Sequence, residues 1–129
     1  MIESAQVPAL VVDDDIVIRH MLVLQLNKLG VKADTAANGI EAMHRIRDWQ
    51  YEIIFMDIQM PEMDGLQTTA SIRVLGKEKN LKPVVIIGIS AGITTKDTAL
   101  EVGMNDFMAK PLRLEHLEGA LTQWLPERS

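Results

Sequence analysis

EIIFMDIQMPEMDG, residues 52–65, decides the fold. Four apolar residues, Ile53, Ile54, Phe55 and Met56, run straight into one carboxylate, Asp57, and a proline-containing turn follows. A short, unbroken apolar run closed by a turn is the pattern of a strand buried on both faces, as in a parallel sheet. A lone acid at the end of such a strand needs a reason, and the neighbouring segments supply one.

Upstream, ALVV (residues 9–12) reads as another buried strand. Residues 16–29 read as a helix, with Val17, Met21, Leu22, Leu24 and Leu29 at mixed helical spacings. It stops before Gly30, a residue suited to the position after a helix. VKADTA (31–36) alternates loosely, as a less buried strand does, and Asn38 is placed to cap a helix through Asp48 with Ile40, Met43 and Ile46 on one face. Downstream, residues 66–75 read as a helix weakened by TTAS, and PVVIIGIS (83–90) as a strand buried on both faces. Residues 94–102 read as a short helix closed by Gly103, and DFMAK (106–110) as a strand that Pro111 stops. A last helix over 113–125 carries Leu114, Leu117, Leu121, Trp124 and Leu125 toward a core.

Five β-α units of this length imply a parallel sheet with helices on both faces. In such sheets, sites form at the carboxyl ends of strands. Asp13, Asp14, Asp57, Ser90 and Lys110 all fall at such ends. They converge if the first, third, fourth and fifth strands are neighbours.

The 129 residues suit one domain, read as residues 5–125 with short tails at 1–4 and 126–129. A composition 47% hydrophobic and 24% charged is ordinary for a globular protein with one core. A net charge of -5 argues against direct nucleic-acid binding, which uses a basic face. The absence of cysteine excludes disulfides and thiolate chemistry. The first ten residues lack the basic start and apolar run of a signal peptide. The longest apolar run, VVIIGI at 84–89, is far short of the ~20 residues of a membrane span.

Three carboxylates brought together, Asp13, Asp14 and Asp57, repel and resist full ionisation. A hard divalent cation relieves this, and Mg²⁺ favours a few carboxylates while keeping several waters. Acids also cap helices, which is the reading for Asp15; the Asp13/Asp14 pair suits either role. Lys110 at the mouth of the fifth strand adds a cation for an anionic oxygen such as that of a phosphoryl group, and Ser90 adds a hydroxyl donor. Each of these has an ordinary alternative as a strand-end turn or surface residue. Together they describe phosphoryl transfer to Asp57, giving an acyl phosphate that can itself hydrolyse.

LVVDDD, FMDIQMPEMDG, IIGIS and FMAKP resemble the four signatures of the response-regulator receiver domain, in order and over about residues 8–125. The resemblance implies a flavodoxin-like three-layer α/β sandwich, (βα)5, with a five-stranded parallel sheet of order 2-1-3-4-5. It implies that Asp57 is the phospho-acceptor in a two-component phosphorelay, and that the domain catalyses its own phosphorylation and dephosphorylation. Asp14 and Asp57 would ligate Mg²⁺, or Mn²⁺ in its place, with the backbone carbonyl of Gln59, while Asp13 acts mainly through water. Lys110 would pair with the phosphoryl group, Ser90 and Phe107 would be the switch pair, and the Lys110–Pro111 bond would be cis. The implied donor is a histidine kinase or histidine phosphotransfer domain docking near Asp15, Ile16 and Pro111. An output domain or partner protein would read the surface over residues 94–125. The implied setting is cytoplasmic, or the cytoplasmic part of a membrane-bound parent kinase, without membrane insertion by this segment. Departures are Gly88 for a frequent alanine, Ser90 for the commoner threonine and Phe107 for a frequent tyrosine. MDIQMPEMDG is most similar to receivers attached to hybrid sensor kinases.

His20, His44 and His116 read as surface residues, since the donor histidine belongs to a partner. Most methionines read as core filler, with Met60 and Met63 beside the site available to a partner. Trp49 and Trp124, near helix ends, read as partly buried and remote from the site. Competing functions fit less well. An aspartyl-nucleophile phosphatase needs a second acid two residues past the nucleophile, where this chain has Gln59. A flavin or nucleotide binder cradles phosphate after its first strand, where DDD would repel it. A receiver-like scaffold that phosphorylation does not switch is opposed by the intact Asp14, Asp57 and Lys110.

Overall fold

The computed structural model describes residues 7–61, 63–92 and 96–126. Strands and helices alternate as β1 (Ala9–Val12), α1 (Ile16–Lys28), β2 (Ala33–Ala36), α2 (Gly39–Asp48), β3 (Ile53–Asp57), α3 (Gly65–Glu78), β4 (Val85–Ser90), α4 (Lys96–Glu101), β5 (Asp106–Ala109) and α5 (Leu114–Trp124). All neighbours in the sheet pair in parallel, in the order β2-β1-β3-β4-β5. This is the flavodoxin-like arrangement expected of the sequence.

The two-residue period of a strand divides the core. Leu10, Val12, Ile54, Met56 and Ile86 point to one face and pack with Ala42 and Met43 of α2, Ile72 of α3 and Ala99 of α4. Ala9, Val11, Ile53, Phe55, Ile87 and Ile89 point to the other and pack with Leu22 and Leu26 of α1 and Leu117 and Leu121 of α5. β1 and β3 are buried along their whole length, as their unbroken apolar runs require. Each fully buried Ile, Leu or Phe contributes ~1.5–3 kcal/mol relative to exposure.

Helix starts are set by side-chain caps. The Asp15 carboxylate accepts from the backbone N–H groups of Val17 and Ile18, and the side-chain amide oxygen of Asn38 accepts from the Glu41 N–H. Asp64 and Gln67 cap α3 reciprocally. Gly30 and Gly103 take positive φ, 81° and 108°, where the chain leaves α1 and α4.

Boundaries shift modestly from the expected ones. β2 begins at Ala33, α3 runs on to Glu78, β4 begins at Val85 and β5 ends at Ala109, leaving Lys110 just past it. TTAS does not shorten α3: Thr68 and Thr69 are buried, and the Thr68 hydroxyl donates to the Asp64 carbonyl. The expected start of α4 at Thr94 and the tails at 1–4 and 127–129 lie outside the described residues. Some apolar residues assigned to the core are exposed instead: Ile40 on α2 and Leu114 at the start of α5, together with Val17, Met21 and Leu24 on α1. Among the described residues no helix is long and apolar enough to cross a membrane.

Arg73 ties α3 to the far end of the sheet. Its guanidinium donates to the carbonyls of Val84 (2.7 Å) and Gly103 (2.9 Å) and to Asn105 Oδ1 (2.9 Å), which also accepts from the Ile86 N–H. The starts of β4 and β5 are thereby pinned, and their lengths then fix where Ser90 and Lys110 emerge.

Gly65 lets the first turn of α3 abut the end of β3. A Cβ there would run into the Asp57 carbonyl oxygen and come within 2.8 Å of Ile58 Cα. Backbone cannot yield as a flexible side chain does, so Gly65→Ala is expected to cost ~1–3 kcal/mol and to displace the end of β3. Urea denaturation checks the first effect; amide shifts of Asp57 and Ile58, unlike those of β2, check the second.

Candidate functional site

Three strand ends meet at one cation. Asp57 is the last residue of β3, Asp13 follows β1 and Lys110 follows β5. The Lys110 ammonium lies 3.1 Å from Asp13 Oδ2 and 3.2 Å from Asp57 Oδ1. β4 lies between β3 and β5 with Ser90 opposite Ala109, so the lysine reaches both acids across the end of β4. Asp13 and Asp57 are each 1% exposed, whereas Asp14 stands exposed at the mouth.

The frame around these groups is hydrogen-bonded. Asp13 Oδ1 accepts from the Asp15 N–H at 2.9 Å, and Arg19 Nη1 donates to the Asp13 carbonyl at 2.7 Å. Lys110 N donates to the Ser90 carbonyl at 3.0 Å, and the Lys110–Pro111 bond is cis, as the resemblance implied. The DDD run thus divides its labour: Asp13 turns inward, Asp14 faces the mouth and Asp15 caps α1. Arg19 was not foreseen, because nothing in a first-turn arginine signals a bond back to the preceding strand.

Positive charge is short here. Burial first, and then the charge of Asp13, hold the Asp57 pKa at about 7, well above the usual 3.8, with Lys110 only partly opposing them. Burial lowers the Lys110 pKa, but its hydrogen bonds and charge interactions with Asp13 and Asp57 outweigh that, and the net shift is upward. Lys110 is therefore charged at neutral pH, while Asp57 gives up its proton far less readily than an ordinary carboxylic acid. Asp13 Oδ2 and Asp57 Oδ1 are buried and, apart from the Lys110 ammonium, have no hydrogen-bond donor among the described residues. Ligand oxygens of Asp13, Asp14 and Asp57 lie within 4.8 Å of one another. An all-carboxylate set with orphaned oxygens and one open side fits a hard divalent cation.

The Ser90 hydroxyl is buried at the end of β4, donating to Gln59 Oε1 at 2.7 Å and accepting from the Gly92 N–H at 3.0 Å. Phe107 on β5 is half-buried and packs against the cluster shared with α4. The departure at Gly88 has a steric reason: a Cβ there would come within 2.5 Å of the Met104 sulfur. All three histidines are exposed. Met60 is buried and unavailable to a partner, contrary to expectation, while Met63 is half-buried against the core. Trp49 is exposed rather than partly buried. Trp124 is half-buried, and it is not remote from the predicted switch: its indole Nε1 donates to Asp106 Oδ2 at 3.3 Å, next to Phe107. A cavity of 1210 Å³ opens among Trp49, Arg73, Lys77 and Trp124, but at the other end of the sheet, away from this charge cluster.

A family model for the response regulator receiver domain matches residues 9–122. Hybrid signal transduction histidine kinase F of Dictyostelium discoideum is 40% identical over 119 residues, covering 90% of this chain but 11% of the kinase. The receiver domain of a Pseudomonas aeruginosa sensor histidine kinase, solved with a magnesium ion coordinated in its active-site cleft, is 31% identical with a TM-score of 0.80, covering 92% of this chain and 96% of that one. The receiver domain of a Saccharomyces cerevisiae response regulator, solved with its histidine phosphotransfer protein, is 30% identical with a TM-score of 0.84, covering 90% of this chain and 86% of that one. Matched by the family model over most of its length, and by a relative at 40% identity, the chain belongs to the response regulator receiver domain family.

Proposed function

We propose that Asp57 accepts a phosphoryl group from a phosphohistidine donor and that Ser90 and Phe107 convert this event into a change of surface. The carrying observation is that Asp57 Oδ1 and Asp13 Oδ2 converge on one ammonium, that of Lys110, with the Asp14 carboxylate beside them. An Asp57 carboxylate oxygen forms the new bond to phosphorus as the donor's phosphorus–nitrogen bond breaks, and the electron pair leaves with the imidazole. Lys110 faces the developing charge on the phosphoryl oxygens. The Lys110 ammonium and the fully buried strand that ends in Asp57 hold its carboxylate in place, so little reorganisation is needed at the moment of attack. Asp14, Asp57 and the Gln59 carbonyl would hold Mg²⁺, or Mn²⁺, with Asp13 acting through water. Bound there, the ion supplies Lewis-acid stabilisation of charge on the transferred group.

Exposed apolar side chains on α1 support a docking site for the donor there. Ile16, Val17 and Met21 of α1 are 69%, 62% and 52% exposed, and Leu24 continues their line. This stripe begins beside Asp14 and Asp15 at the mouth of the site. Unpartnered apolar surface of this kind suits the apolar flank of a helical histidine phosphotransfer domain or kinase.

The switch follows from added charge. A phosphoryl group on Asp57 brings new acceptor oxygens beside Ser90. Its hydroxyl turns toward one of them, and Phe107, which has no hydroxyl, is drawn inward by apolar burial alone. α4, β5 and α5 then present a different face to an output domain or partner.

Three outcomes test this reading. Incubation with acetyl phosphate and Mg²⁺ should add one phosphoryl group, seen by intact mass; Asp57→Asn should lower the labelled fraction at least 100-fold, and equal labelling would discard the assignment. Mg²⁺ affinity should depend on pH. With Asp57 raised to about 7, its proton competes with the cation below that pH, so affinity should fall about tenfold from pH 8 to pH 6. Titration calorimetry should show that loss, and Asp57→Asn should remove most of the slope. Val17→Glu should slow transfer from a phosphohistidine donor by ~10-fold or more while leaving labelling by acetyl phosphate intact. Equal slowing of both would move the defect from docking to chemistry.

A further inference from the structure

The Ser90 hydroxyl has one proton to donate, and in this structure that proton is already committed. It goes to Gln59 Oε1 at 2.7 Å, a length typical of an O–H···O bond, while Ser90 Oγ accepts from the Gly92 N–H. Gln59 is an exposed residue, yet its side chain folds back over the β4–α4 loop. It lies there because Gly92 leaves room. A Cβ at 92 would come within 3.1 Å of Gln59 Nε2 and 3.3 Å of its Cδ. Two bonds to one hydroxyl therefore join Gln59 of the loop after β3, Ser90 at the end of β4 and Gly92 just past it.

We infer that the side-chain amide of Gln59 is a latch on Ser90, holding the hydroxyl away from the phosphoryl position until a group on Asp57 competes for it. This rests on the reading of Asp57 as phosphoacceptor and adds a positioning residue to it. The competition is exclusive: a hydroxyl donating to a phosphoryl oxygen cannot also donate to Gln59. Capture by the phosphoryl group breaks the Gln59–Ser90 bond and takes the hydroxyl away from Gly92 as well. The latch sets a threshold, because the gain from the new bond is reduced by the loss of the old one. Its size is that of one neutral hydrogen bond, a factor of ~2–10 in the equilibrium.

The test is a thermodynamic cycle on the whole chain, with beryllofluoride standing in for the phosphoryl group at saturating Mg²⁺. Binding is followed through backbone amide signals in wild type, Gln59→Met, Ser90→Ala and the double variant. Methionine keeps the length of glutamine and removes the strong acceptor, and the position is exposed, so the fold is retained. Gln59→Met should tighten beryllofluoride ~2- to 10-fold, and the Gly92 amide of the free variant should move toward its position in the wild-type complex. In the Ser90→Ala background the same substitution should change affinity by less than ~2-fold, since no hydroxyl remains to be held. Unchanged or weaker binding by Gln59→Met overturns the latch. An equal gain in both backgrounds also overturns it, placing Gln59 in direct contact with the anion. A wild-type chain that takes no beryllofluoride overturns the phosphoacceptor reading and the latch with it, an outcome separate from tight wild-type binding that Gln59→Met leaves unaltered.

Discussion

Two buried carboxylates share one ammonium. Asp13 and Asp57 both lean on Lys110, and among the described residues neither contacting oxygen has another hydrogen-bond donor. Removing charged groups from water is costly unless each is matched. Here the match is deliberately short by one positive charge, and by two once Asp14 at the mouth is included. The raised pKa of Asp57 is the direct expression of that shortage. A site left in this condition is avid for cationic charge and for nothing else, which is the property a phosphoacceptor that works with a divalent ion requires.

The rest of the fold can be read as what holds the deficit in place. The acids belong to adjacent strands, β1 and β3, while the lysine comes from the edge strand β5, with β4 in between. Only parallel strands bring all these ends to the same side. The stabilisation comes from elsewhere: two apolar layers, one under α2, α3 and α4 and one under α1 and α5, bury β1 and β3 completely. Arg73 pins the starts of β4 and β5, Gly65 lets α3 close against the Asp57 carbonyl, and Arg19 holds that of Asp13. A rigid core thus carries a local excess of negative charge that would not persist in a looser chain.

Much of this was legible in the sequence because two signals reinforce one another. Unbroken apolar runs mark central parallel strands, and a polar residue at the end of such a run marks the rim of the sheet. Asp57, Ser90 and Lys110 could therefore be located before any side chain was placed. What escaped depends on distance in space. Helical spacing identifies an apolar stripe but cannot tell a core-facing stripe from a second, exposed one; Val17, Met21 and Leu24 are exposed while Leu22 and Leu26 of the same helix are buried. Ile40 and Leu114 misled for the same reason, since each is exposed on a helix that buries other residues, Ala42 and Met43 in α2 and Leu117 and Leu121 in α5. Met60, read as available at the rim, turns from its loop into the buried apolar cluster under α2, α3 and α4. The Gln59–Ser90 bond joins residues 31 apart in the chain, and no local pattern announces it.

The same shortage of charge explains how one added group could move a whole face. A phosphoryl group on Asp57 places its oxygens farther out than the carboxylate oxygen Lys110 now meets, and it adds negative charge where positive charge is already scarce. In the proposed switch the ammonium would be drawn outward from Asp13, with the end of β5 tethered to it through a short stretch of backbone. Ser90 would be drawn toward the same oxygens from the end of β4. Phe107, two residues before Ala109, lies on the strand that feels the first pull and packs in the cluster shared with α4, which follows the second. Asp106 next to it joins both flanking helices, pairing with Lys96 of α4 at 3.4 Å and accepting from Trp124 of α5. A displacement of β5 is therefore felt by both helices through one carboxylate. Because Trp124 is a terminus of that connection, its indole reports on the switch rather than only on the fold.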